Sequence, residues 1–286
     1  MQIRSRVGGA VATLAATTLV LMMVPTDRTV AFAQPVDAQS IFGSYELVAT
    51  ATIGDDGITH PGPWATGTLV LTDNGHLYRM TGGIGSASAP DTIWTAGTYE
   101  ISDGKLAERI ERSNLQPLIN TRVEHVVSIA GNDLTLTERN SWSTIRMTFA
   151  RIAPHETTAP ADWAGTYELR SAFFRVGESI TLPGVYNDGA ITYMPDGTMF
   201  VVLDQKGIAT PPYPLSVWYT GTYDLNQVSK VVSHHVRHAN LASRENADLR
   251  RAYRINGPVV TLVDDTSLPM PPGSLAPLYL DWKRVG

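Results

Sequence analysis

The chain says nearly the same thing twice. IFGSYELVAT at Ile41–Thr50 returns as WAGTYELRSA at Trp163–Ala172, and Gly67 with Asn74-Gly75 returns, at an offset of 122, as Gly189 with Asp196-Gly197. WTAGTYEI (Trp94–Ile101) returns as WYTGTYDL (Trp218–Leu225), and Asn114-Leu115 as Asn240-Leu241. The closing Phe149-Ala150-Arg151-Ile152 returns as Trp282-Lys283-Arg284-Val285. A fixed repeat period sets the architecture before any motif is considered. Here the period is a whole small domain, which implies a tandem duplication: residues 41–152, a linker at 153–162 and residues 163–286.

The first stretch reads as a leader. Arg4 and Arg6 precede an uncharged run from Val7 to Val24, then Pro25 and the small-residue site Ala31-Phe32-Ala33. That order describes a secretory signal over residues 1–33. The alternative is an uncleaved anchor, since a span needs ~20 apolar residues. With no Cys there is neither a lipid-anchored Cys nor a disulfide, so each copy must hold itself together by core burial. Without the leader 19 basic and 26 acidic residues remain, a net charge of −7. A mildly acidic chain with no basic run argues against nucleic acid. No Asn-x-Ser/Thr site occurs, which favours a bacterial periplasmic or secreted location over a eukaryotic secretory route.

Short alternating runs bounded by turn residues dominate, the all-β pattern. The first copy gives eight candidate strands near residues 43–52, 67–72, 76–81, 93–101, 105–113, 121–130, 133–139 and 144–152. Asn74-Gly75, Asp103-Gly104 and Gly131-Asn132 are tight-hairpin dipeptides. The other links are mostly long. Successive links in an up-and-down sheet alternate between its ends, so tight turns gather at one end and long loops at the other. The second copy repeats this, with a Pro-rich loop over Asp264–Pro277. The expected architecture is therefore two tandem eight-stranded antiparallel up-and-down barrels, each able to hold one small ligand beneath a mouth of loops. At the closed end Tyr45 should meet Arg151, and Tyr167 meet Arg284, as cation–π plugs.

The Gly-x-aromatic opening strand, the GTYE and GTYD strands preceded by Trp, the following strand with His234-His235, and the final Trp282-Lys283-Arg284-Val285 resemble the lipocalin-like domain family. The first copy departs, with Glu108-Arg109 at the His positions and Phe149 for the Trp. True lipocalins are less similar, because their Gly-x-Trp is here Gly-x-Tyr. The resemblance implies a β-barrel that holds a small, mostly apolar molecule.

No nucleophile elbow, HExxH, phosphate loop or dinucleotide fingerprint is present, and the lack of Cys excludes thiol chemistry. Gly82-Gly83-Ile84-Gly85-Ser86 joins two strands and reads as a rim loop. On the fifth strand, Leu106 and Ile110 share a face, as do Val232 and Val236. Strict alternation then turns Glu108, Arg112, His234 and His238 inward, and His235 and Arg237 outward. The alternative is a rotated or frayed strand whose polar residues meet solvent. His234 and His238 would lie ~13 Å apart along a strand, too far to share a metal, so no metal site or cofactor is expected.

Trp64, Trp94 and Trp142 fall near the expected first mouth, and Trp218, Tyr213, Tyr186 and Tyr219 near the second. They suggest an aromatic-lined entrance, against core packing under the loops. Lys105, Arg109 and Glu111 on the outer face exclude a membrane-spanning barrel. The leading expectation is an exported protein that binds a small apolar or aromatic molecule through Trp94, Glu108, Arg112, Trp218, His234 and His238. One rival is a cyclase or isomerase using His234 or His238 as acid–base group. The other is an envelope scaffold with no ligand.

Overall fold

The computed structural model describes residues 38–83, 92–176, 180–205, 216–264, 268–269 and 275–285. The leader at 1–33, Tyr213 and most of the Gly82–Ser86 and Asp264–Pro277 loops lie outside them. The first copy comprises a helical turn α1 (Ala38–Ile41) and strands β1 (Gly43–Gly54), β2 (Thr59–Pro61), β3 (Trp64–Leu71), β4 (His76–Gly83), β5 (Thr92–Ser102), β6 (Lys105–Ser113), β7 (Arg122–Ala130), β8 (Asp133–Arg139) and β9 (Ser143–Arg151). The second comprises β10 (Gly165–Val176), β11 (Ile180–Pro183), β12 (Asp188–Tyr193), β13 (Thr198–Asp204), β14 (Ser216–Asn226), β15 (Val231–Ala239), β16 (Asp248–Asn256), β17 (Val259–Asp264), β18 (Leu268–Pro269), β19 (Leu275–Ala276) and β20 (Leu278–Val285). All pairings are antiparallel, and β1–β9 and β10–β20 close each sheet on itself. Eight strands form each barrel. The short strands β2 and β11 fall within the long links of the sequence and only flank β1 and β10.

Of the hairpin dipeptides, Asp103-Gly104 has both residues left-handed, at φ 52° and 72°, as a primed turn requires. In the other two only Gly75 and Gly131 are, at φ 83° and 63°, and Asn74-Gly75 lies in a four-residue link. The closed end is sealed from below. Ile41 and Trp163 are buried, and each accepts a hydrogen bond on its carbonyl from Tyr45 and Tyr167 at 2.8 Å. Arg151 stacks 5.0 Å over the Tyr45 ring and donates to its hydroxyl. Arg284 instead donates to the carbonyls of Asp162 and Ala164.

Each barrel encloses its own apolar core. A third cluster joins the two from outside: Val70, Tyr78, Met80, Trp94 and Ala96 of the first pack on Ala190, Met194, Phe200, Val202 and Trp218 of the second. Tyr78 meets its own counterpart, Phe200, at a ring separation of 5.2 Å. Counterparts meeting one another mark an internal two-fold arrangement. The segment between the copies lies against the second barrel, with His155 N–H donating to the Asp196 carbonyl and Thr158 hydroxyl to that of Leu225. Among the described residues no helix is long and apolar enough to cross a membrane.

Candidate functional site

The polar groups inside each barrel sit on one shared frame. In the first copy Lys105 pairs with Val126 and Val126 with Thr137. In the second, Val231 pairs with Ala252 and Ala252 with Val263. Glu108, His125 and Glu138 therefore occupy the positions of His234, Arg251 and Asp264. Thr95 likewise matches Tyr219, since they pair with Ser113 and Ala239. All lie above the apolar lower core, toward the ends of the strands that carry the long loops.

In the first barrel this layer is ionised. Glu108 and His125 are fully buried. Glu108 accepts a 2.7 Å bond from the Thr95 hydroxyl and pairs with Arg79 at 3.1 Å. Burial pushes the Glu108 carboxyl up, but Arg79 together with bonds from His125 and Thr95 outweighs it and lowers its pKa to about 2. His125 Nε2 lies 3.3 Å from Arg79 Nη1 and 3.4 Å from Glu108 Oε2. Arginine only donates and an ionised carboxylate only accepts, so the imidazole serves one of them according to its tautomer. Its other nitrogen, Nδ1, is left without a hydrogen bond in either case; Glu138 stands 3.9 Å away. Buried polar atoms are rarely unpaired.

The second barrel centres its layer on a neutral group, beside an Arg251–Asp264 ion pair. His234 is fully buried between two tyrosines, with Tyr193 hydroxyl 2.8 Å from Nε2 and Tyr219 hydroxyl 3.0 Å from Nδ1. One hydroxyl donates and the other accepts, so a neutral imidazole satisfies both. Burial, reinforced by the Arg251 and Arg244 charges, lowers the His234 pKa well below its ordinary 6.5. Burial likewise raises that of Tyr193 well above its usual value. Arg251 and Asp264 approach to 3.6 Å beside them.

Glu108 and His234 thus face inward as alternation requires, while Arg112 and His238 do not. The register between β5 and β6 shifts between Ala96 and Gly97, and that between β14 and β15 shifts between Thr220 and Gly221. The extra residues, Glu111 and Arg237, form β-bulges that reverse the alternation beyond them. Arg112 consequently crosses to the second barrel, pairing with Glu168 at 2.8 Å and donating to the Gly189 carbonyl at 3.0 Å. His238 makes the reciprocal contact, 3.2 Å from Glu46 of the first barrel. The bulges need glycine: a Cβ on Gly97 or Gly221 would lie 1.9 or 2.0 Å from the Arg109 or His235 carbonyl oxygen. A histidine pair inside one cavity is therefore absent. His235 and Arg237 point outward as expected, to Asp248 and Glu46 respectively.

The aromatic entrance is also redistributed. Trp94 and Trp218 are buried in the cluster between the barrels, with Trp94 Nε1 donating to Ser216 Oγ at 3.1 Å. They sit on the outer wall because positions 94 and 218 alternate with the inward Thr95 and Tyr219. Tyr186 is core, Trp64 packs at the edge of the first core, and Trp142 stands 82% exposed. Trp94 and Arg112 border a cleft of ≈450 Å³ between the barrels, with Asn114, Asp188 and Gln205.

Sequence reasoning missed Arg79, Thr95, His125 and Glu138, and with them Tyr193, Arg251 and Asp264. A signal existed: His125 and Glu138 interrupt the inward stripes Val127–Ile129 and Leu134–Leu136. Among the described residues no group of His, Asp or Glu is arranged to hold a metal.

No family model matches the chain, and no curated protein matches it. Among solved structures, a protein of unknown function from the DUF3598 family of Nostoc punctiforme is similar over 86% of this chain and 96% of its own. The identity is 10% and the TM-score 0.23. A likeness at that level carries no argument about family or function.

Proposed function

We propose that this is an exported, lipocalin-like carrier whose first barrel binds a small, largely apolar molecule bearing one polar group. The observation that carries this reading is His125 Nδ1, a fully buried nitrogen with no hydrogen-bond partner, 3.9 Å from the Glu138 carboxylate. A buried charged set adds little to stability and is often replaceable by apolar residues. The second barrel, which has Val201 in place of Arg79, closes the same frame with two tyrosines on a neutral histidine and pairs Arg251 with Asp264. An ionised layer with one open position is what a ligand's polar end would complete, while its apolar part lies toward the mouth. A ring-closing or isomerising enzyme would use the same layer, since His125 touches an ionised carboxylate and keeps one nitrogen free. In that version Glu108 orients the imidazole and Nδ1 exchanges the proton.

The test is solvent extraction and mass spectrometry of protein purified from its native host, with 11-(dansylamino)undecanoate as the binding probe. One small molecule per chain is expected, and His125→Leu should weaken probe binding about tenfold, the worth of one hydrogen bond of ~1.4 kcal/mol. A chain that purifies empty and binds the probe equally well with His125→Leu would refute the reading.

A further inference from the structure

At its closed end, beneath its core, the second barrel carries a pocket of ≈330 Å³, walled by Trp163, Tyr167, Leu225, Lys230, Tyr253 and Val260. Its volume suits a ligand of one or two rings. The Trp163 and Tyr253 rings meet edge to face at 5.0 Å, and the little ring surface they leave exposed borders the pocket. The Lys230 ammonium stands 5.7 Å from the centre of the Tyr253 ring. Arg284 also borders the pocket, and among the described residues neither cation forms a salt bridge; the Arg284 guanidinium is spent on main-chain carbonyls.

The first barrel is the control. By register, Lys230 corresponds to Gly104, Tyr253 to Val127 and Trp163 to Ile41. These three substitutions make the pocket aromatic and cationic; the turn differs as well, with four residues (227–230) in the second barrel against two (103–104) in the first. Lys230 occupies its turn at φ 55°, where the first barrel uses glycine at φ 72°. A left-handed lysine is a strained choice for a turn that glycine serves freely, and residues held so are often retained for a function. Its carbonyl accepts from Tyr253 N–H at 2.8 Å, which anchors the turn backbone against the strand that carries that ring.

We infer that this pocket is a binding site for a planar aromatic anion, an aryl carboxylate or sulfonate. The ring lies against Trp163 and Tyr253, and the anionic group meets the Lys230 ammonium, with Arg284 adding positive potential. Asp162 is the acidic residue bordering the pocket; its repulsion disfavours anions of higher charge.

The test uses the full chain and 2-naphthoate, followed by calorimetry. One molecule per chain should bind saturably, and at least about fivefold more weakly to Lys230→Gly and to Tyr253→Val. Lys230→Gly should melt no lower than the parent, because it installs the residue the first barrel uses. Naphthalene-2-methanol, the same frame without the charge, should bind at least about fivefold more weakly than naphthoate. The paired variant Arg79→Val with Glu108→Leu, inside the first barrel, should leave naphthoate affinity unchanged. No binding by the parent, equal affinity of Lys230→Gly, or loss of binding in the first-barrel variant would each overturn the assignment.

Discussion

At the same depth, on the same three strands, the first barrel carries Glu108, His125 and Glu138 where the second carries His234, Arg251 and Asp264. The first resolves its buried polarity by ionisation, with Arg79 across from Glu108. The second resolves its own mainly by neutrality, with two tyrosine hydroxyls closing both nitrogens of His234. One frame therefore tolerates two electrostatic solutions, provided each group is matched within its layer. What differs is the remainder: His125 Nδ1 is left open, whereas His234 has nothing left to offer.

The largest expected effect breaks the ionised layer. Glu108→Leu leaves Arg79 buried without its carboxylate and should destabilise the protein by about 3–5 kcal/mol in urea unfolding. Adding Arg79→Val, the residue type at the matching position 201, should recover stability to within about 1 kcal/mol of the parent. A single variant as stable as the parent would mean the pair is not the centre of that layer.

Acid should then separate the barrels. His234 is held neutral in the fold because its pKa is depressed, so its contribution is full above pH 6.5 and is lost as the unfolded chain takes up the proton below it. The slope is about 1.4 kcal/mol per pH unit. Glu108, depressed to about 2, keeps its contribution down to about pH 4.5 and loses it, about 3 kcal/mol in all, as the pH falls toward 2. Urea midpoints at pH 7.5 and 5.0 should fall for the parent but much less for His234→Gln. An identical fall in that variant would place the acid sensitivity elsewhere.

The smallest effect tests the turns. Lys230→Gly should stabilise by about 1 kcal/mol through relief of the left-handed lysine, and Gly104→Lys should cost about as much. If the two changes have the same sign, the turns are not equivalent and the comparison of the closed ends fails at that point.

Most of the frame was legible. Gly67, Asn74-Gly75 and the GTYE and GTYD strands fall where the repeat places them, and Asp103-Gly104 turns as its residues require, because alternation and positive-φ turns are local properties. β2 and β11 were not legible, since three- and four-residue strands pairing only at a flank leave no alternating stripe. Arg112 and His238 were misplaced for a related reason. Each follows a bulge, and one inserted residue reverses every side chain beyond it. Gly97 and Gly221, glycines in mid-strand, were the available clue.

The sequence by itself determined the duplication, the strand count, the closed and open ends, and the inward turn of Glu108 and His234. These follow from periodicity and backbone chemistry that neighbouring residues enforce. Only the tertiary structure decided which partners those groups meet: Arg79, His125 and Thr95 from three other strands, or Tyr193 and Tyr219 from two. It also turned Trp94, Trp218, Arg112 and His238 into the seam between the barrels. Closure brings together residues tens of positions apart, and packing of the outer walls joins residues from 56 (Arg112–Glu168) to 192 (Glu46–His238) positions apart. Neither separation leaves a trace in local pattern, because the free energy that selects those partners is realised only when the sheets have closed and met.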